Sequence, residues 1–209
     1  MAAANSALER LLADIRACRL CVEQPRGRPL PHAPRPVLRV SPTARIAVFG
    51  QAPGARVHAS GVPFSDPSGV RLRQWMGVGE DVFYDVARVA IVPMGFCFPG
   101  LDAKGGDRPP RPECAQRWRQ ELMTQLVRLD LVLLVGQYAQ RWHLGARWRG
   151  SLTDTVRAWA EILEEPLGGR RYLPLPHPSW RNNAWIERNP WFEAELLVRL
   201  REEVARAIA

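Results

Sequence analysis

His177 lies in the stretch PLPHPSWRNN at 174–183, held between Pro176 and Pro178 directly after a short apolar run. An imidazole confined in this way at the end of a strand can donate a hydrogen bond to a leaving group. Ser179, Arg181 and Asn182, which follow it, can grip a phosphate. The plainer alternative is a packed or surface histidine. A second loop, GQAPG, places Gly50, Gln51, Ala52, Pro53 and Gly54 just beyond another strand-like run. It is either an ordinary turn or a nest of backbone N–H groups able to hold an anion or a carbonyl. It is neither a Walker loop nor a GxGxxG fingerprint, which disfavours a nucleoside triphosphate or dinucleotide. Phe64, in GVPF, belongs to the core or stacks on a planar base. Trp180 either closes the core or enters a duplex as a wedge. His58 follows Gln51 by seven residues, apparently on the same loop, and is a candidate for orienting water. His143 reads as structural, and His32 has no assigned role.

The four cysteines are Cys18, Cys21, Cys97 and Cys114. A close CxxC pair with two distant thiols can hold one tetrahedral zinc or one [4Fe–4S] cluster. Redox use of the pair and inert core thiols are the alternatives. Such a site would brace the N-terminal segment against the loop at 97–114 without taking part in the chemistry.

The chain has 209 residues, 46% of them hydrophobic and 24% charged, with a formal net charge of +8. This composition excludes disorder, and the length suits one domain spanning 1–209. The positive balance favours a polyanionic partner. No apolar run is long enough to cross a membrane. Glu9, Arg10 and Asp14 interrupt any signal-peptide core, so the expected location is cytoplasmic.

The elements that must position these residues alternate along the chain. Apolar spacing predicts helices over 6–17, 69–76, 113–128, 153–164 and 190–207, with another starting at QYAQRWHL. Short apolar runs predict strands at 45–49, 88–92, 131–135 and 171–175. Residues 24–43 are broken by seven glycines and prolines and read as a loop. Together with the first helix, this segment, 1–43, is expected to pack on the rest. Alternating strands and helices imply a parallel sheet covered on both faces, with its ligand beyond the carboxyl ends of the strands.

GQAPG at 50–54 and HPSWRN at 177–182 resemble the first and second motifs of the uracil-DNA glycosylase superfamily, and GVPF stands where its base-stacking aromatic is found. CRLC with Cys97 and Cys114 resembles the iron–sulfur branch, whereas HPS-x-RN resembles the single-strand-selective monofunctional branch, so the chain looks like a divergent bacterial member. The resemblance implies an α/β/α sandwich around a four-stranded parallel sheet. It also implies a base-excision repair enzyme that flips uracil, or a related deaminated base, out of DNA and hydrolyses its N-glycosidic bond. Phe64 would stack on the base, and Gln51 with its loop would contact the base and position water. His177 would donate to the uracil oxygen as charge develops there, worth about 3 kcal/mol. Ser179 and Arg181 would hold phosphates, and Trp180 would fill the gap in the duplex. A structural [4Fe–4S] cluster, zinc as its alternative, and a monomer are implied as well.

Three departures stand out. Ala52 occupies the place of an acidic residue that activates water. Val57 and His58 stand where the iron–sulfur branch has acidic residues. Pro93 falls near a base-reading Asn, leaving that task to the backbone around Met94, Gly95 and Phe96, or to Asn182 or Asn183. Hypoxanthine, xanthine and a damaged pyrimidine therefore stand beside uracil as candidate substrates. No lysine lies in either motif loop, which favours monofunctional hydrolysis over a lyase. The rival readings are a non-catalytic or covalently trapping binder of modified DNA and a hydrolase of free nucleosides.

Overall fold

The structure, a computed structural model, describes residues 2–209, with side chains from residue 7 onward. Its centre is a sheet of four parallel strands: β1 (Ile46–Phe49), β2 (Val89–Ile91), β3 (Leu131–Val135) and β4 (Arg171–Leu175), in the order β2-β1-β3-β4. Strands covered on both faces read as continuous apolar runs, which is why these four were legible in the sequence.

The helices are α1 (Ala2–Ala17), α2 (Leu20–Glu23), α3 (Ala55–Ser60), α4 (Pro67–Met76), α5 (Glu80–Phe83), α6 (Pro112–Gln125), α7 (Gln137–Leu144), α8 (Leu152–Arg157), α9 (Trp159–Glu164), α10 (Asn183–Glu187) and α11 (Leu197–Ile208). Alternate strand residues serve opposite layers. Ala47, Phe49, Val132 and Leu134 meet Leu8, Leu11 and Ile15 of α1 and Trp118 and Leu122 of α6. Ile46, Val48, Leu131, Leu133 and Leu173 meet Leu72, Trp75 and Met76 of α4 and Leu197, Leu200 and Val204 of α11. The result is the expected three-layer α/β/α sandwich.

The N-terminal segment lies against α6 and the edge of the sheet. α1 lies on α6. The proline-rich stretch then bonds to the sheet edge, with Arg39 and Ile91 exchanging backbone hydrogen bonds and the Val37 N–H donating to the Phe96 carbonyl. Buried Glu203 on α11 pairs with Arg171, Arg199 and Arg206, tying that helix to the start of β4. No described helix is long and apolar enough to cross a membrane.

Three expectations need correction. Residues 55–60 form a short helix where a loop was expected. Six residues are too few to show a period, and Gly61, at φ 73°, ends the helix. The run 153–164 is two helices that meet at Ala158, whose ψ of 19° leaves the helical range. The tail begins as a π-helical turn, Phe192–Leu196, before α11 continues it.

Candidate active site

The carboxyl ends of β1, β2 and β4 open into one cavity of about 920 Å³. His177, Gln51 and Phe64 all line it, together with Gly50, Ala52, Pro53, Gly54, Ser179, Trp180, Arg181 and Asn182. These residues come from two distant parts of the chain, 50–64 and 177–182.

The His177 arm is fixed from below and from within. Gln140, fully buried on α7, donates to the carbonyls of Leu134 and Leu175 and so locks the end of β4 to β3. The Asn182 amide donates to the His177 carbonyl at 2.7 Å. Ser179 caps the turn Trp180–Asn182 by accepting from the Arg181 N–H at 3.2 Å. From α4, Arg71 donates to the Ser179 carbonyl and to the Asn183 side chain. Asn182 and Asn183 thus brace the loop. Burial lowers the His177 pKa below the ordinary histidine value, opposed by the nearby Asp66 carboxylate. The ring is therefore neutral at pH 7 and can donate one N–H. Trp180 is 71% exposed, with the Arg181 guanidinium 5.6 Å from its ring centre.

Phe64 has φ 56°, the only positive value at a non-glycine among the described residues. Backbone in this region stores strain and persists only where the surroundings enforce it. The Tyr84 hydroxyl donates to the carbonyls of Pro63 and Phe64, both at 3.1 Å, and the Phe64 ring meets the edge of Phe83. The absent side chain of Gly50 leaves room for the ring, since a Cβ there would lie 3.3 Å from it. The aromatic is thus pressed against the first residue of the GQAPG loop.

That loop is held by the β2 exit. The N–H groups of Met94 and Gly95 donate to the carbonyls of Gly50 and Gln51, at 2.8 and 3.0 Å. The Phe96 N–H donates to the Cys114 sulfur at 3.3 Å. The expectation that Met94, Gly95 and Phe96 read the base is therefore corrected: their donors are already taken, and Met94 and Phe96 pack in the core. Only Pro93 of this stretch lines the cavity. Arg119 fixes the same exit. It is 1% exposed, donates to the carbonyls of Val92 and Pro93, and lies 4.9 Å from the Phe49 ring centre. Burial lowers its pKa to about 10. The Gln51 side chain makes no hydrogen bond among the described residues, which leaves its amide free for a ligand.

His58 is corrected too. It sits on α3 and is absent from the cavity wall, while its neighbours Arg56 and Val57 face in. Its ring lies 4.2 Å from that of His32 and 5.9 Å from Phe98, and burial lowers its pKa. The His143 ring lies 4.5 Å from that of Phe49.

The sequence reading missed the acidic side of the cavity. Asp66 lines it while capping α4, its carboxylate accepting from the Gly69 N–H. Asp102 and Asp107 enter from the 99–112 loop, which is closed by a bridge between Leu101 and Asp107. Asp102 accepts from the N–H groups of Lys104 and Gly106, and these bonds lower its pKa. The Asp107 pKa is raised, first by burial, against the pull of Arg181, with Asp66 and Asp102 adding to the rise. Lys104, the only lysine among 29 lysines and arginines, also lines the cavity. A cap pattern before Pro67 was the readable signal for Asp66; nothing local marks Asp107.

The four cysteines surround one small cavity, walled also by Ile15, Leu30, Pro36, Phe96 and Trp118. They form no disulfide. Burial raises Cys21 and Cys114 and pushes Cys97 up to about 12. Among the described residues, no three His, Cys, Asp or Glu side chains converge closely enough for a single metal ion.

Among solved structures, the wild-type SMUG2 of Pedobacter heparinus is similar at 14% identity and a TM-score of 0.35, over 79% of this chain and 74% of that one. The family model of the Uracil DNA glycosylase superfamily matches residues 39–201, a span that runs from before β1 into the first turn of α11 and holds every residue of the large cavity except Val37. The chain therefore belongs to the uracil-DNA glycosylase superfamily, whose members are DNA glycosylases.

Proposed function

We propose that the protein is a monofunctional DNA glycosylase that hydrolyses uracil, or a related deaminated base, from DNA as a step of base excision repair in the cytoplasm. The observation that carries this reading is the convergence of His177, Gln51 and Phe64 on one cavity. A flipped base lies on the Phe64 ring, with the free Gln51 amide at its edge. The C1′–N bond breaks, and its electron pair moves onto the base. The neutral His177 donates to the base oxygen where that charge collects. Ser179 and Arg181 bind the flanking phosphates, and the exposed Trp180 occupies the gap in the duplex. The net charge of +8 suits the same partner.

The test is base release from oligonucleotides, single- and double-stranded, carrying uracil, hypoxanthine or xanthine. Release of one base, with intact abasic DNA as product and no adduct trapped by borohydride, is the expected result. Lys104 is the only lysine of the chain, so a trapped adduct lost in Lys104→Ala would replace hydrolysis by a lyase. Lesion-specific binding without release would replace the enzyme by a binder, the reading that Ala52 favours.

We further infer that Cys18, Cys21, Cys97 and Cys114 hold a structural [4Fe–4S] cluster. What supports this is the lining of one small apolar cavity by all four thiols, a donor set that suits a [4Fe–4S] cluster, with tetrahedral zinc as the alternative. The Phe96 N–H to Cys114 bond is of the kind that stabilises cluster sulfur. The bound group would tie α1 and α2 to the β2 exit and supply no reaction step. Protein purified without air is expected to contain iron and sulfide in equal amounts and to show broad visible absorption. Cys114→Ala is expected to lose both and to unfold at lower temperature. Stoichiometric zinc in place of iron would refute the cluster.

A further inference from the structure

Position 52 carries alanine, so the GQAPG loop brings no carboxylate to the water that must attack C1′. The fold supplies one from elsewhere. An Oδ of Asp107 lies 3.2 Å from where a Gly54 Cβ would be, so the carboxylate occupies the space that this glycine leaves open. It faces the cavity and accepts no hydrogen bond among the described residues. Asp66 and Asp102, by contrast, are engaged by backbone N–H groups. The loop carrying Asp107 is held in shape. The Asp102 carboxylate binds two N–H groups, the Asp102 N–H donates to the Gly106 carbonyl, and the Arg108 N–H donates to the Gly100 carbonyl.

The position also fits the sugar rather than the base. The Phe64 ring sits at Gly50, one end of the motif loop, and Asp107 sits at Gly54, the other end. Arg181, on the arm that binds phosphate in the reading above, is near enough to Asp107 to act on its titration. A base stacked on Phe64, with its phosphate at Arg181, leaves the sugar between them, beside Asp107.

Resting on the glycosylase reading, we propose that Asp107 is the catalytic base that orients and deprotonates the attacking water. As the C1′–N bond breaks and its electrons pass to the base, the water oxygen forms a bond to C1′. Asp107 takes the water proton, and the proton later passes through solvent to the departed base. Asp107 thus does for this chain what a carboxylate at position 52 does elsewhere in the family, from a loop some fifty residues away in sequence.

Asp107 is confronted by Arg181 and Asp66 across the cavity and by Asp102 on its own loop, with Arg56, Arg71, Lys104 and His177 the other charged or titratable side chains of the wall. A base works when ionised, so the rate falls as pH drops through the pKa of Asp107. That acid limb lies above the ordinary aspartate range, because burial raises the group.

The experiment measures single-turnover release across pH for the parent, Asp107→Asn and Asp66→Asn, on whichever of uracil, hypoxanthine and xanthine the parent releases. Binding to DNA carrying a 2′-fluorinated, uncleavable analogue is measured beside it. Asp107→Asn is expected to slow release by about 100-fold or more and to abolish the acid limb. Its binding is expected to be unchanged or tighter, since a negative charge has left the DNA surface. A parent-like rate and limb in Asp107→Asn, or a limb lost only in Asp66→Asn, overturns the role of Asp107 and leaves the glycosylase reading standing. A parent that releases no base overturns both.

Discussion

His177→Ala is expected to slow base release by about 100- to 1000-fold, the loss seen when one donor to a developing oxyanion is removed. DNA binding should hardly change, because the proposed phosphate contacts belong to Ser179 and Arg181 and the loop keeps its other braces. The Asn182 amide bonds the His177 backbone carbonyl rather than its ring, so the arm retains that bond in the variant. The protonation state sharpens the expectation. Burial depresses the His177 pKa, and Asp66 only partly offsets this. The working form is then the neutral ring, and no activity should be lost to its titration as pH rises above the ordinary histidine value of about 6.5. Single-turnover release at pH 6 to 9 with saturating enzyme measures both points. A variant within threefold of the parent would remove His177 from the chemistry and return it to a packing role.

The second large effect concerns a residue that touches no ligand. Gly69→Ala lies in the first turn of α4, where alanine ordinarily stabilises a helix by about 1 kcal/mol. Here the sign should reverse. A Cβ at Gly69 would stand 1.7 Å from the Phe64 carbonyl oxygen and 2.6 Å from its carbonyl carbon. Both are backbone atoms, so no side-chain rotation relieves the clash. Either α4 shifts off the sheet or Phe64 leaves its positive-φ conformation and gives up the bonds from Tyr84. Overpacking of this kind costs about 1–3 kcal/mol. We expect a lower urea midpoint together with weaker base release, since the stacking ring moves with its backbone. Val70→Ala, at a half-exposed neighbour on the same helix, should leave both near parent values. A stabilised and fully active Gly69→Ala would mean that Phe64 is not held in this conformation.

Local chemistry made much of the protein readable from the chain alone. Four apolar runs became four buried strands because a covered parallel strand needs no alternation to mark it, and LVLLV and RYLPL matched their strands residue for residue. The two motif loops were legible because proline and glycine fix backbone shape locally, and both loops line the cavity. The cysteines could be grouped by number and spacing, and the fold brings all of them to one cavity.

Other features depended on distant partners. Met94, Gly95 and Phe96 looked free to read a base, but their N–H groups are spent on Gly50, Gln51 and Cys114. His58 looked like a loop residue until a six-residue helix turned it toward His32. Asp107 carried no mark at all, lying in a polar loop with nothing periodic around it. Spacing along the chain determined which residues end the strands and could bear chemistry. The tertiary structure alone decided which of them remain unpaired and face the cavity, because a hydrogen bond or a contact across eighty residues leaves no trace in the sequence around either partner.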